Sequence, residues 1–294
     1  MTALSRAVFD GDVLVYKAGF SVETRRYTVH AVDDDTFGQN FQRKTDALNF
    51  IKRVEADGFK MELHHIKEVK PLRLAKLNLI NIIQHAIKEL KVKDYSIYLS
   101  PKDVTQGLRF KAAITRPYKG NRTGEKPKYY EVLREFAVRE LQAVVAPDDL
   151  EADDLLGMAS RTAIVCSIDK DLLMCPGVHY NLTTGDITKS AQPGSLHLVT
   201  AKDSRKTLKG YGFKWFCAQM LLGDSVDNIQ GIKGMGSVGA FKELDSLNNT
   251  KDMWGCVQKI YKKHELEYTS RLEENKILLW INQPETFDEI LEKY

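Results

Sequence analysis

The chain has 294 residues, 43% of them hydrophobic and 28% charged, with a formal net charge of +3. This is the length of one large domain or two modest ones in an ordinary globular composition, which excludes a disordered, collagen-like or low-complexity chain. A balance this close to neutral neither requires nor excludes a nucleic-acid partner, because local patches do the binding.

In chain order, the apolar run Ala7-Val8-Phe9 stops at Asp10-Gly11-Asp12 and predicts a first strand with its exit loop. Val13 to Phe20 predicts a short helix. Arg25 to Val32 alternates weakly and runs into Asp33-Asp34-Asp35, predicting a strand and an acidic turn. Thr45 is placed to N-cap a helix with Leu48, Ile51 and Val54 on one face, stopped at Gly58. Phe59, Met61 and Leu63 alternate as another strand. Pro71 opens a long helix carrying Leu74, Leu77, Ile80, Ile83, Ile87 and Leu90 at helical spacing. Ser96 to Leu99 follows as a strand, then a segment rich in Lys and Arg up to about residue 130. A helix through Leu133, Phe136 and Leu141 leads to the strand Ala143-Val144-Val145, and a further helix begins near Leu150. Ala163 to Cys166 is a fully apolar strand ending at Ser167-Ile168-Asp169-Lys170-Asp171.

Strands alternating with helices predict an α/β fold, a mostly parallel sheet flanked by helices. After about residue 200 the pattern turns helical and glycine-punctuated. The expected organisation is an α/β core over 1–200, with an insertion at about 21–70 and a basic segment at about 104–130, and a helical subdomain over 201–294. The widely spaced cysteines Cys166, Cys175, Cys217 and Cys256 form no CxxC pair and read as reduced thiols. Met1 to Arg6 carries no apolar signal core, and no apolar run is long enough for a bilayer, so a cytoplasmic protein without a membrane partner is expected.

Carboxylates recur just beyond the apolar strands and at adjoining helix starts. They are Asp10, Glu151, Asp153, Asp154, Asp169, Asp171, Asp224 and Asp227. Carboxyl ends of parallel strands converge on one edge of a sheet, where ligands bind. The i, i+3 spacing of Glu151 with Asp154, and of Asp224 with Asp227, puts each pair on one face of a helix. Like charges so packed raise one another's pKa unless cations lie between them. Oxygen-only donors suit Mg²⁺ or Mn²⁺ rather than zinc, and two such ions about 4 Å apart can serve a phosphoryl displacement. The bland alternative is solvated loop and N-cap acids, and Asp12, Asp148 and Asp149 are assigned to it.

Arg109, Lys111, Arg116, Lys119, Arg122, Lys126 and Lys128 are interleaved with Tyr118, Tyr129 and Tyr130. Cations track phosphates and aromatic rings stack on bases, so the segment has the composition of a nucleic-acid contact; an isolated run of this kind is more often a solvated face. The stretch from Gly223-Asp224 through Asp227-Asn228 to Gly231-Ile232-Lys233-Gly234-Met235-Gly236 reads as a tight turn between two helices. Gly231, Gly234 and Gly236 leave backbone N–H groups free to meet a phosphate, with Lys233 beside them.

Taken together, Phe9-Asp10-Gly11, Tyr118-Lys119-Gly120-Asn121-Arg122, Glu151-Ala152-Asp153-Asp154, Ser167-Ile168-Asp169-Lys170-Asp171 and the glycine stretch resemble, in family order, the 5′-nucleases or flap endonucleases. The look is that of short bacteriophage 5′→3′ exonucleases. The resemblance implies a PIN-like core, a basic arch or gateway and a helix–three-turn–helix element. It implies that the eight carboxylates hold two or more Mg²⁺ or Mn²⁺ ions, that Lys119 and Arg122 contact the scissile phosphate beside Asp153, that Tyr118 stacks on a base, and that the glycine turn grips duplex DNA and can hold K⁺. The family's acid after the strand before the arch is missing from Tyr98-Leu99-Ser100-Pro101-Lys102-Asp103, where Asp103 is the candidate.

The expected activity is 5′→3′ exonuclease cleavage of DNA from 5′ ends or nicks, by a monomer, in phage replication or recombination. RNA in RNA–DNA hybrids is a further substrate under this reading, and a replication polymerase a further partner. The alternatives are a 5′ flap endonuclease, a non-catalytic DNA-structure binding module and a PIN-type RNase, the last of which has no use for the glycine turn.

Overall fold

The computed structural model describes residues 4–33, 37–200, 204–264 and 267–294. The expected acidic turn at Asp33-Asp34-Asp35 falls mostly outside the described residues, as does the start of the expected subdomain at 201. In chain order the first elements are β1 (Arg6–Asp10), α1 (Gly11–Phe20), β2 (Glu23–Ala31), β3 (Gly38–Phe41), α2 (Lys44–Ala56), β4 (Met61–Val69), α3 (Leu72–Leu90) and β5 (Asp94–Leu99). Then come α4 (Leu108–Ala112), α5 (Tyr130–Glu140), β6 (Val144–Val145), α6 (Ala152–Ala159), β7 (Ile164–Ser167), a 3₁₀ turn (Asp171–Met174), β8 (Gly177–Asn181) and β9 (Ile187–Ser190). The chain ends with β10 (Ser195–Thr200), β11 (Lys206–Tyr211), α7 (Gly212–Leu222), β12 (Gly223–Asp224), β13 (Ile229–Gln230), α8 (Ser237–Leu244), α9 (Thr250–His264), α10 (Tyr268–Leu279) and α11 (Phe287–Lys293).

The main sheet has the order β6-β5-β1-β7-β8-β9, parallel except for the antiparallel β9. Its central strand β1 is the most buried, with Ala7, Val8 and Phe9 at most 1% exposed. A strand flanked on both sides and covered on both faces reads as a continuous apolar run, as it does here. The α/β expectation is therefore met, with helices on a mostly parallel sheet.

Residues 1–14, 82–125 and 134–294 form one compact unit, and residues 15–81 with 126–133 form another. Residues 204–264 and 267–294 pack in the unit of the main sheet. Within the second unit, β3-β2-β4 is an antiparallel sheet, and α2 covers one face of it. Buried Val29 on β2 and Ala47 on α2 mark that contact. The expected cap of α2 at Thr45 is displaced: Arg43 occupies the N-cap and makes no side-chain cap bond.

In the first unit, α7 is buried on every side from Gly212 to Leu221. A helix buried all round and mostly apolar belongs at the centre of a core; its two buried polar side chains are bonded there, Lys214 to the Asp245 carbonyl at 2.9 Å and Gln219 to Asp171 at 2.6 Å. Around it, Phe213, Phe216, Trp254, Trp280 and Phe287 form one aromatic cluster with ring centroids 4.9–6.4 Å apart. Among the described residues of 177–211, for which periodicity predicts nothing, there are four strands. No helix among the described residues is long and apolar enough to cross a membrane.

Candidate active site

The parallel sheet delivers its side chains to one edge. Asp10 is the last residue of β1 and Ser167 the last of its parallel neighbour β7. Ser167 Oγ donates to Asp10 Oδ2 at 2.7 Å, and the Val13 N–H donates to Oδ1 at 3.0 Å. Beyond β7, the Asp169 N–H donates to Ser167 Oγ at 3.1 Å, and the Asp171 N–H to Asp169 Oδ1 at 2.8 Å. Gln219 on the buried α7 donates to Asp171 Oδ1 at 2.6 Å. Glu151 occupies the N-cap of α6, and Asp153 lies in its first turn.

Asp224 and Asp227 come together differently from expectation. They sit on the tight β12–β13 hairpin, not on a helix. Asp224 Oδ1 accepts from the N–H groups of Val226 at 2.6 Å and Asp227 at 3.3 Å. Asn228, at φ 62°, closes the turn. Two supports hold the far strand: Arg271 and Asn275 of α10 each donate to the Gln230 carbonyl at 2.8 Å.

Glu151, Asp153, Asp169, Asp171, Asp224 and Asp227 line one small cavity of about 30 Å³, room for little more than a water or a bare ion. Asp10 adjoins it through Ser167, which donates to Asp10 and accepts from the Asp169 N–H. Burial, reinforced by Asp12 and Asp169, pushes the Asp10 carboxyl up to about 7 against its hydrogen bonds from Val13 and Ser167. Burial and neighbouring carboxylates likewise raise Asp153, Asp169 and Asp171. Glu151 goes the other way: burial would raise it, but Lys119 and Arg109 together hold it below its ordinary range.

Besides the buried Arg109, which bonds Glu151 at 3.0 Å, three cations reach these acids. Lys119 Nζ lies 2.6 Å from Glu151 Oε1, Arg122 is hydrogen-bonded to Asp227, and Lys170 Nζ is 3.6 Å from Asp224 and 3.8 Å from Asp171. The turn bearing Lys119 is fastened to the hairpin. The Lys119 N–H donates to the Asp227 carbonyl and Asn228 Nδ2 to the Pro117 carbonyl, each at 2.9 Å. No three acidic, His or Cys side chains among the described residues are grouped as a metal cage. The donor set itself is all hard oxygen and carries more buried carboxylate than its cations neutralise, a chemistry that fits a hard divalent cation.

Several expected site residues lie elsewhere. Arg109, expected to touch DNA, is 9% exposed and bonds Glu151 at 3.0 Å, Asp154 at 2.8 and 3.0 Å, and the Trp280 carbonyl at 2.8 Å. Asp154 is absent from the cavity wall, since its oxygens also accept the Glu151 and Asn282 N–H groups at 3.0 Å. Tyr118, expected to stack on a base, is 4% exposed. Its hydroxyl sits 3.2 Å from Glu151 Oε2 and 3.1 Å from Asp227 Oδ2, so one proton serves two carboxylates. Asp103 is exposed and caps its own turn, accepting from the Thr105 N–H at 2.9 Å. Lys111, Arg116, Arg122 and Lys233 are exposed, as their expected contact with a polyanion requires.

The glycine turn divides by role. A Cβ on Gly231 would lie 2.2 Å from the Leu222 carbonyl carbon, so this glycine packs the turn against α7. Gly234, at φ +81°, and Gly236, at the N-cap of α8, face open space. Gly231→Ala is expected to lower the melting temperature sharply. Gly236→Ala costs about 1 kcal/mol at most, an N-cap effect, yet weakens binding to duplex DNA. Equal stability losses in the two variants would contradict this division.

Residues not named as site candidates also shape the site. Asp12 accepts from Arg134 at 2.6 Å and from the Ser100 N–H at 3.0 Å, pinning the end of β5 beside β1. Ser167, Lys170 and Gln219 position the acids as described.

The raised carboxyls have a thermodynamic consequence. A carboxyl whose pKa is higher folded than unfolded contributes stability that is complete below its unfolded value and is lost as pH rises through its folded value. For Asp10 that window runs from about 4 to about 7. Asp10→Asn is therefore expected to stabilise the metal-free protein more at pH 8 than at pH 5. Melting curves in EDTA test this, and a pH-independent effect of the substitution would contradict it.

No protein-family model matches the chain. Among solved structures, the T5 D15 protein co-crystallised with metal ions superposes with a TM-score of 0.49 at 14% identity, covering 93% of this chain and 88% of that one. Flap endonuclease-1 from Methanococcus jannaschii gives a TM-score of 0.46 at 14% identity, covering 97% of this chain and 80% of that one. In sequence, a 5′-3′ exonuclease of Buchnera aphidicola subsp. Schizaphis graminum is 24% identical over 165 residues, 51% of this chain and 53% of that protein. The chain thus spans about half the length of the curated relative it matches. That match bears out the resemblance carried by the ordered motifs: the chain is similar to the 5′-nucleases.

Proposed function

We propose that the chain is a divalent-metal-dependent nuclease that hydrolyses DNA phosphodiesters from a 5′ end or nick, in the 5′→3′ direction. The observation that carries the proposal is the meeting of Asp10, Glu151, Asp153, Asp169, Asp171, Asp224 and Asp227 at the carboxyl edge of the sheet, with Lys119 and Arg122 held over them. The sequence similarity to a 5′-3′ exonuclease supports the polarity.

Mg²⁺ or Mn²⁺ held by these carboxylates would polarise the phosphoryl group and make the attacking water more acidic. The chain's residues do the rest. Lys119 and Arg122, bound to Glu151 and Asp227 in the free protein, turn to the scissile phosphate and stabilise the charge that grows on its oxygens. Tyr118 keeps Glu151 and Asp227 in fixed relation while those cations move. Gly234 and Gly236 offer backbone N–H groups to a phosphate of the duplex, a contact independent of sequence. K⁺ at that turn, RNA–DNA hybrids as substrates, a replicative setting in a host cytoplasm, a polymerase partner and a monomeric state all extend the same reading.

The test is cleavage of three 5′-labelled DNAs in Mg²⁺: a blunt duplex, a nicked duplex and a 5′ flap, each with an EDTA control. Mononucleotides and short oligonucleotides from the first two are expected. One flap-length product alone would make the chain a flap endonuclease. Failure to cut any of them in Mg²⁺ or Mn²⁺ would overturn the proposal and favour a DNA-structure binding module.

A further inference from the structure

A second and larger cavity, of about 480 Å³, opens on the other side of the Ser167–Asp171 loop. The same short loop therefore walls two spaces. Asp169 and Asp171 belong to the acidic cavity, while Ile168, 47% exposed, and Lys170 belong to the larger one along with Asp169. Across from them stands the β10–β11 ribbon. His197 is directly opposite Lys209 in its register, and Thr207, Lys209 and Tyr211 alternate along one strand, so all four share a face. That face lines the cavity. Its floor is apolar, built from Leu172 and Trp215, both at most 4% exposed, while Leu208, on the other face of the same strand, packs in the core behind the ribbon.

The chemistry of this groove is distinct from that of the acidic site beside it. An apolar and aromatic floor of this size accepts a flat nucleobase, within the usual range of about 300–1,000 Å³ for small-ligand pockets. Lys170 Nζ stands 5.9 Å from the centre of the Trp215 ring, so a cation and an aromatic face are already paired at the end nearest the acids. Lys209 and His197 supply donors to a phosphate on the opposite wall. Aromatic platform plus lysines is how proteins hold unpaired nucleotides without reading sequence. The acids on the walls are Asp169, already turned into its own loop by the Asp171 N–H, and Asp186, which accepts from Thr184 Oγ1 at 2.6 Å.

We infer that this groove is a subsite for an unpaired nucleotide, which it holds one loop away from the carboxylates. The inference rests on the nuclease reading for its biological sense, because a strand cut at Asp153 and Asp169 has to leave the duplex nearby. Its ligand chemistry, a base on the apolar floor and a phosphate at Lys209 and His197, stands by itself. Two sources share that chemistry: a nucleotide still within the DNA strand, or a free mononucleotide product.

The test is a binding measurement in Ca²⁺ on the full chain carrying Asp153→Asn, so that no cutting is required. Two ligands are titrated by tryptophan fluorescence and anisotropy: dTMP, and a duplex with a short unpaired 5′ extension of thymidines. A fully paired blunt duplex is the reference. The comparison variants are His197→Ala with Lys209→Ala, and Thr207→Trp, which fills the groove from an exposed strand position.

Both variants are expected to weaken binding of the extended duplex at least about 5-fold while the blunt duplex changes less than about 2-fold; such a difference is about 1 kcal/mol. Loss of dTMP binding alone would place the free product in the groove and support the subsite. Parallel loss for extended and blunt duplexes, or no loss for either ligand, would overturn it. Thr207→Trp leaves both cations in place, so its agreement with the double variant separates groove occupancy from lost charge. If the chain proves unable to cut DNA, these affinities still decide the subsite on their own terms.

Discussion

Asp153→Asn is expected to reduce Mg²⁺-dependent cleavage on the order of 10³-fold or more while raising the melting temperature of the metal-free protein. Asp153 lines the acidic cavity and feels Asp169, Asp10 and Glu151 as like charges, with Lys119 the opposing cation. Replacing its carboxylate by an amide of the same shape removes one oxygen donor of charge −1 and part of this repulsion. The first change starves the site of a hard anionic ligand. The second favours the folded state, since burial had already raised the pKa of this group. A stability gain with an activity loss is the mark of a site whose charges are kept for function. Rate measurements at several Mg²⁺ concentrations, with melting curves in EDTA, test both halves. Undiminished cleavage would remove Asp153 from the site, and a lower melting temperature would assign it a structural role.

What the sequence discloses of this site depends on whether a residue's neighbours are local. The strands ending at Asp10, Leu99 and Ser167 are short apolar runs, legible because a doubly covered parallel strand leaves no polar face. Their common direction follows from alternation with helices, and it brings Asp10, Glu151, Asp153, Asp169 and Asp171 to one edge. The i, i+3 spacing of Asp224 and Asp227 correctly pairs them but assigns a helix where Gly223 and Asn228, both at positive φ, close a hairpin. The strands of 177–211 escape periodicity because they are half-exposed and rich in His, Thr, Lys and Gly. Asp103 is the right residue type at the wrong distance: its carboxylate is spent on Thr105. Most instructive is the basic segment. By composition every cation in it is a surface group, and for Lys111 and Arg116 that holds. Arg109 and Tyr118 are buried by acids that lie 33 to 109 positions further on, which no local pattern contains.

Arg109→Met separates those two readings most cleanly. As a DNA contact, Arg109 could be replaced with no effect on folding and a loss of affinity that shrinks at high salt. As a buried partner, its removal strands Asp154 and Glu151 without their guanidinium, a loss of about 3–5 kcal/mol for a broken buried pair. In a protein of this size that is a fall of roughly 6–20 °C in melting temperature. The double variant Arg109→Met with Asp154→Leu should recover part of the loss, because removing both charges leaves neither uncompensated. Recovery is incomplete, since the Glu151 and Asn282 N–H groups lose their acceptor as well. Glu151 links this stability effect to function. Arg109 and Lys119 jointly keep its carboxyl ionised, so Arg109→Met also leaves that role to Lys119 alone, the cation proposed to turn to the phosphate. Cleavage by the single variant is therefore expected to fall most at acidic pH, where Glu151 now takes up a proton. A melting temperature unchanged by Arg109→Met would return the residue to the surface and undo its assignment as the support beneath Glu151.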